Sequence, residues 1–98
     1  MQGKIVSSNG AIQMEQDTER FIKFDMPLEY FNFMAVDSCI IYLNGSKEGI
    51  SIPKQYTQPF EIKDFPIWSF KVCRHGHSLE TDNDGLYKDM EFYYYGYY

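Results

Sequence analysis

No stretch of this chain keeps apolar residues at helical spacing for three turns, whereas short segments of period-two alternation recur along its whole length. Asn9-Gly10, Asn44-Gly45, Asp84-Gly85 and the prolines separate those segments with turn chemistry. The chain is therefore expected to be all-β. About eight short strands fit its length, and a single open sheet would leave one face of each strand uncovered. The expected fold is a small antiparallel β-sandwich of jelly-roll or Ig-like kind, with a small barrel as the variant. At 98 residues the chain is read as one domain, 1–98, with one core and no linker.

The first expected pair is a hairpin of residues 4–8 and 11–14 about Asn9-Gly10. A strand at 20–24 follows the acidic stretch Glu15, Asp17, Glu19 and ends before Met26-Pro27. Residues 31–43 read as two strands with a bend at Asp37-Ser38, closed by Asn44-Gly45. A short strand at 49–52 stops at Pro53, and a polar loop through Lys54, Gln55 and Tyr56 leads to another at 59–62. Residues 67–74 alternate, with Trp68, Phe70 and Val72 expected in the core and Ser69, Lys71 and Cys73 outside. The last strand or strand pair begins at Leu86.

Residues 91–98 read EFYYYGYY. In a strand, Phe92, Tyr94 and Tyr98 point one way and Tyr93, Tyr95 and Tyr97 the other. One core cannot take both sets. Each aromatic side chain carries roughly 150–250 Å², so an outer trio left half covered shows on the order of 200–400 Å², about the largest apolar patch a monomer tolerates. Residues 91–98 are therefore read as an interface strand, with Phe92, Tyr93, Tyr94, Tyr95, Tyr97 and Tyr98 as contact residues against another copy or a partner. Strand addition across a subunit boundary is one mode of contact. An edge strand with a wet tyrosine face, or a frayed tail, is the alternative. Deleting 91–98 is expected to leave the domain folded but unable to assemble.

A net charge of -5 offers no basic stripe to a phosphate backbone, so no nucleic acid partner is expected. Apolar runs fall far short of a membrane helix, and the Met1-Gln2-Gly3-Lys4 start leads into no signal core. The reading is synthesis in the cytoplasm with no membrane partner. Cys39 and Cys73 are read as free thiols, Cys39 as a small buried hydrophobe.

Glu80, Asp82, Asp84, Gly85 and Glu91 nearly match the calcium loop D-x-[DN]-x-[DN]-G-x5-E. Glu80, one methylene too long, stands at its first position, and neither flank reads as a helix. A hairpin turn on Asp84-Gly85 is favoured. Cys73, His75 and His77 stand two apart, a zinc-type set on extended backbone, but lack an obvious fourth ligand; a hairpin end with polar histidines is favoured. As a Cys-His catalytic pair they fail, because same-face neighbours on a strand lie roughly 6.5 Å apart and point in parallel. Cys39 with a distant histidine stays open. With two histidines, no G-x-S-x-G and no phosphate loop, the chain is assigned no enzymatic activity, catalytic residue, metal or cofactor. A glycan-binding module is one alternative, since pyranose faces stack on flat rings. With Trp68 placed in the core, Tyr93, Tyr95 and Tyr97 are its candidates.

Asn32-Phe33-Met34-Ala35-Val36, Ile41-Tyr42-Leu43-Asn44-Gly45, Ile50-Ser51-Ile52-Pro53, Phe60-Glu61-Ile62 and Phe65-Pro66-Ile67-Trp68-Ser69-Phe70-Lys71-Val72 resemble small β-sandwich structural proteins of tailed bacteriophages. The shared pattern is an Asn-Gly hairpin, an I-x-I-P strand, a polar loop, then F-E-I leading to I-x-S-x-K-V, over less than half of the chain. The resemblance implies a virion component made in the host cytoplasm: a capsid decoration or cement protein, a head-fibre anchor, or a small tail component. Its partners would be capsid or fibre subunits and itself as an oligomer, and the family carries no catalytic residues. A small cytosolic protein-interaction domain is the remaining alternative.

Overall fold

A computed structural model describes residues 4–54 and 58–98, so Gln55 and Tyr56 of the expected loop, and the Met1-Gln2-Gly3 start, lie outside the described residues. The fold is all-β. Its strands are β1 (Ile5–Ser7), β2 (Ile12–Gln13), β3 (Glu19–Ala35), β4 (Cys39–Leu43), β5 (Ile50–Ile52), β6 (Phe60–Arg74) and β7 (Glu91–Tyr97), with one 3-10 turn at Gly76–Leu79. All join one antiparallel sheet in the order β1-β7-β3-β6-β4-β5, with β2 also on β7. Among the described residues no helix is long and apolar enough to cross a membrane.

Two long strands organise the sheet. β3 has 17 residues and runs through Pro27; β6 has 15 and runs through Pro66, so each fuses two strands that the prolines were expected to separate. Along their ladder Lys23 faces Ser69, Leu28 faces Ile67, and Tyr30 faces Lys63. Residues 24–27 therefore oppose Trp68 alone, and residues 64–66 oppose Glu29 alone. These are two opposed bulges, the positions at which a proline's missing amide is tolerated inside a sheet. Asp64 sits in the second with φ 58, a left-handed backbone that costs most non-glycine residues energy.

The paired bulges fold the ladder over on itself. Phe31 faces Ile62 and Phe70 faces Ile22, so in a straight ladder Phe31 and Phe70 would stand about 26 Å apart. Their ring centroids are 5.0 Å apart. One continuous sheet thus supplies both layers of the expected sandwich. Phe70 lies at the centre, its ring also meeting Phe33 at 5.8 Å and Phe92 at 6.1 Å. Leu28, Ile41, Ile67 and Val72 fill the space between the layers.

Two local expectations change for physical reasons. β1 and β2 do not form a hairpin about Asn9-Gly10: Ile5 faces Tyr97 and Ile12 faces Phe92, so both run the same way along β7. The positive φ of Asn9 and Gly10 extrudes a short loop from one interrupted strand. Trp68 is not core. The bulge shifts its alternation by one position, burying Ile67 and leaving Trp68 50% exposed. Asn44 secures that bulge, its Oδ1 accepting from the Trp68 amide at 2.7 Å and its Nδ2 donating to the Pro66 carbonyl at 2.9 Å. The Asn44-Gly45 turn itself forms as expected, with φ of 54 and 73.

Arg74, at the end of β6, is buried, and among the described residues no carboxylate pairs with it. Its Nε donates to the Asp17 carbonyl at 2.6 Å, Nη1 to those of Ser78 and Lys88 at 2.8 Å each, and Nη2 to Met14 at 3.1 Å and Glu15 at 2.6 Å. Every guanidinium N–H is used. The group sits 5.2 Å from the Tyr87 ring centroid and ties three loops to one strand end.

Candidate functional site: an outer tyrosine face

β7 lies inside the sheet, between β3 on one side and β1 with β2 on the other. Both of its edges are hydrogen bonded, which removes strand addition by β7 as a mode of contact. Between the two short strands, the Ser8 amide donates to the Tyr94 carbonyl at 2.9 Å and Ser8 Oγ accepts from the Tyr94 amide at 3.2 Å.

Alternation along β7 sorts the terminal rings as the sequence requires. Phe92 is fully buried, and Tyr94 packs between the layers, 5.3 Å from Phe70 and 5.7 Å from Phe24. Tyr98 packs against the same core. Of the six residues read as contacts, Phe92 is corrected to a core residue, and Tyr94 and Tyr98 serve the core first. Burial also pushes the Tyr94 phenol up. Gly96 completes this inward row because a Cβ there would stand 2.2 Å from the Tyr30 carbonyl oxygen.

Tyr93, Tyr95 and Tyr97 face outward and are 39%, 46% and 45% exposed. Cross-strand register adds residues that the linear sequence leaves apart. Tyr97 faces Tyr30, Tyr95 faces Asn32, and Tyr93 faces Met34, while Ile5 of β1 flanks Tyr97 from the other side. Tyr30 stacks on Tyr97 at 5.2 Å with planes 13° apart, and meets Tyr95 at 5.8 Å. The three outer rings alone leave on the order of 200–300 Å² in the open, and Met34 and Ile5 enlarge the patch.

Carboxylates border this face. The Tyr30 hydroxyl donates to Glu61 and accepts from Asn32 Nδ2 at 3.1 Å. Glu61 holds the Tyr30 phenol well above its usual range, with Tyr95 adding to the effect. Glu91 raises the Tyr93 phenol, whose hydroxyl donates to it at 3.2 Å. At neutral pH both hydroxyls remain donors.

The other chemical candidates resolve into structure. Asp82 Oδ1 accepts from the amides of Asp84 and Leu86 at 2.9 and 3.0 Å, and Gly85 has φ 77. That is the expected turn, bounded by a bridge from Thr81 to Tyr87; Glu91 lies in β7 against Gln13. Cys73, His75 and His77 do not converge: Cys73 lies just before the end of β6, near Glu19, His75 caps the 3-10 turn, and His77 turns away to Asp37. Among the described residues no three His, Cys, Asp or Glu side chains form a metal-holding group.

His77 Nδ1 lies 2.9 Å from buried Asp37, and its Nε2 lies 3.1 Å from Lys54 Nζ. Ser38 and Ser78 at this corner donate to the carbonyls of His75 and Ser38, not to His77. Cys39 and Cys73 are free. Cys73 faces Ile40, the neighbour of Cys39, so the two thiols point to opposite faces of the sheet. Burial pushes the Cys39 thiol up to about 12, with the Asp37 carboxylate adding to it. No protein-family model, curated protein or solved structure matches this chain.

Proposed function

We propose that this protein is a structural component of a larger assembly, a virion protein of the tailed-phage kind that decorates a capsid or anchors a head fibre. It docks through the outer tyrosine face. The observation that carries this reading is the exposure of Tyr93, Tyr95 and Tyr97 in one row beside Tyr30 and Met34. Tyrosine buries large area at little conformational cost, and its hydroxyl finds a partner at an interface rim. The sequence resemblance supplies the setting: capsid or fibre subunits, together with further copies of the chain.

The test is a triple substitution, Tyr93→Ser, Tyr95→Ser and Tyr97→Ser, followed by native mass measurement and particle binding. All three side chains point away from the core, so folding should persist. The expected result is a folded monomer that no longer joins an oligomer or particle. Unchanged assembly would overturn the reading.

A second reading, glycan binding, is favoured by the stacked Tyr30–Tyr97 pair with Glu61 and Asn32 at hand. It requires soluble sugars to quench tyrosine fluorescence in a saturable titration, and a flat response across a glycan panel would end it.

A further inference from the structure

The two bulges do more than fold the sheet: a hollow of about 530 Å³ opens beside them. Met26, Pro27, Phe65, Pro66 and the Tyr98 ring give its lining, and Glu29 and Asp64 its charge. A second hollow of about 400 Å³ adjoins it, sharing the Phe65 ring and bounded by Leu43, Ile50 and Glu48. Phe65 is 51% exposed and Met26 50%, next to a core that fully buries Phe31, Phe33, Phe70 and Phe92. Glu29, Asp64 and Glu48 form no ion pair among the described residues, and no lysine or arginine lines either hollow.

From this we infer that the groove across Phe65 is a second docking site, and that its occupant is an extended, basic peptide segment of a partner protein. Two open hollows joined by one ring suit a linear chain placing alternate apolar side chains on either side of Phe65. Three unpaired carboxylates call for lysine or arginine between those anchors. A second copy of this chain is disfavoured as occupant, because at a net charge of -5 it would bring like charge to an acidic rim. The groove is distinct from the tyrosine face and does not depend on it.

The probe is a capped heptapeptide alternating lysine and leucine, titrated into the full chain and followed by amide NMR shifts. Its control replaces every lysine by glutamate. The expected result is perturbation confined to residues 26–29, 43–50, 64–66 and Tyr98. Affinity should fall roughly tenfold in the triple variant Glu29→Gln, Glu48→Gln, Asp64→Asn, and further in Phe65→Ser. Asparagine tolerates the positive φ at position 64, so the charge variant keeps the fold, which an unchanged melting curve verifies. Tyr95→Ser should bind the peptide as the parent does, which separates failure here from failure of the tyrosine face. No perturbation in the groove, equal binding of the glutamate control, or unchanged affinity in the charge variant would overturn the assignment.

Discussion

Arg74 shows how one side chain replaces what a chain this size lacks in core. Its five N–H groups close on five carbonyls from the segments at 14–17, 78 and 88. Arg74→Met keeps the volume but leaves those carbonyls without donors, so it should lower unfolding free energy by about 3–5 kcal/mol. Arg74→Lys, with three donors for five acceptors, should recover only part of that. Denaturant unfolding of the two variants measures both.

Cys39 gives a pH prediction. Its thiol is held protonated by burial, so its contribution is whole below the ordinary value of 9.0 and is lost as pH rises from there toward about 12. The melting temperature should fall across that window, and Cys39→Ala should flatten the slope even if it lowers stability overall.

Among the elements, the bulge of β6 and the strand β7 carry the most consequence. Asp64 occupies a backbone conformation that glycine adopts without strain. Asp64→Gly should therefore cost nothing or stabilise by up to about 1 kcal/mol, whereas Asp64→Val should destabilise by about 1–2 kcal/mol. Thermal melts distinguish the two, and a stabilised valine variant would contradict the bulge geometry. β7 was expected to be a detachable interface strand. Instead it lies between β1, β2 and β3 and gives Phe92 to the core, so a chain lacking 91–98 should show no cooperative unfolding transition by circular dichroism. A folded truncation would mean that β1 and β2 can pair with β3 directly.

On the scale of the whole molecule, the two surfaces differ in physics. Contacts through the outer tyrosine face depend on apolar burial, so an assembly formed there should persist in about 1 M salt, while peptide binding in the acidic groove should weaken. Analytical ultracentrifugation and the NMR titration at two ionic strengths check the pair; an oligomer that dissolves in salt would place charge, not tyrosine, at the contact.

Alternation and turn residues were enough to read the all-β class, the Asn44-Gly45 turn and the division of the terminal rings into an inward and an outward set. Those properties are local: a period of two and a positive φ are set by the residues themselves. Tertiary structure decided the rest. Pro27 and Pro66 look like strand ends until their bulges are found opposite each other, and Trp68 looks like core until its bulge shifts the alternation. Tyr30, Met34 and Ile5 join the tyrosine row only through pairings between distant positions, and Arg74 finds its acceptors only when three loops meet. Register between strands is settled by how one layer packs on the other, and that choice belongs to no single segment of the chain.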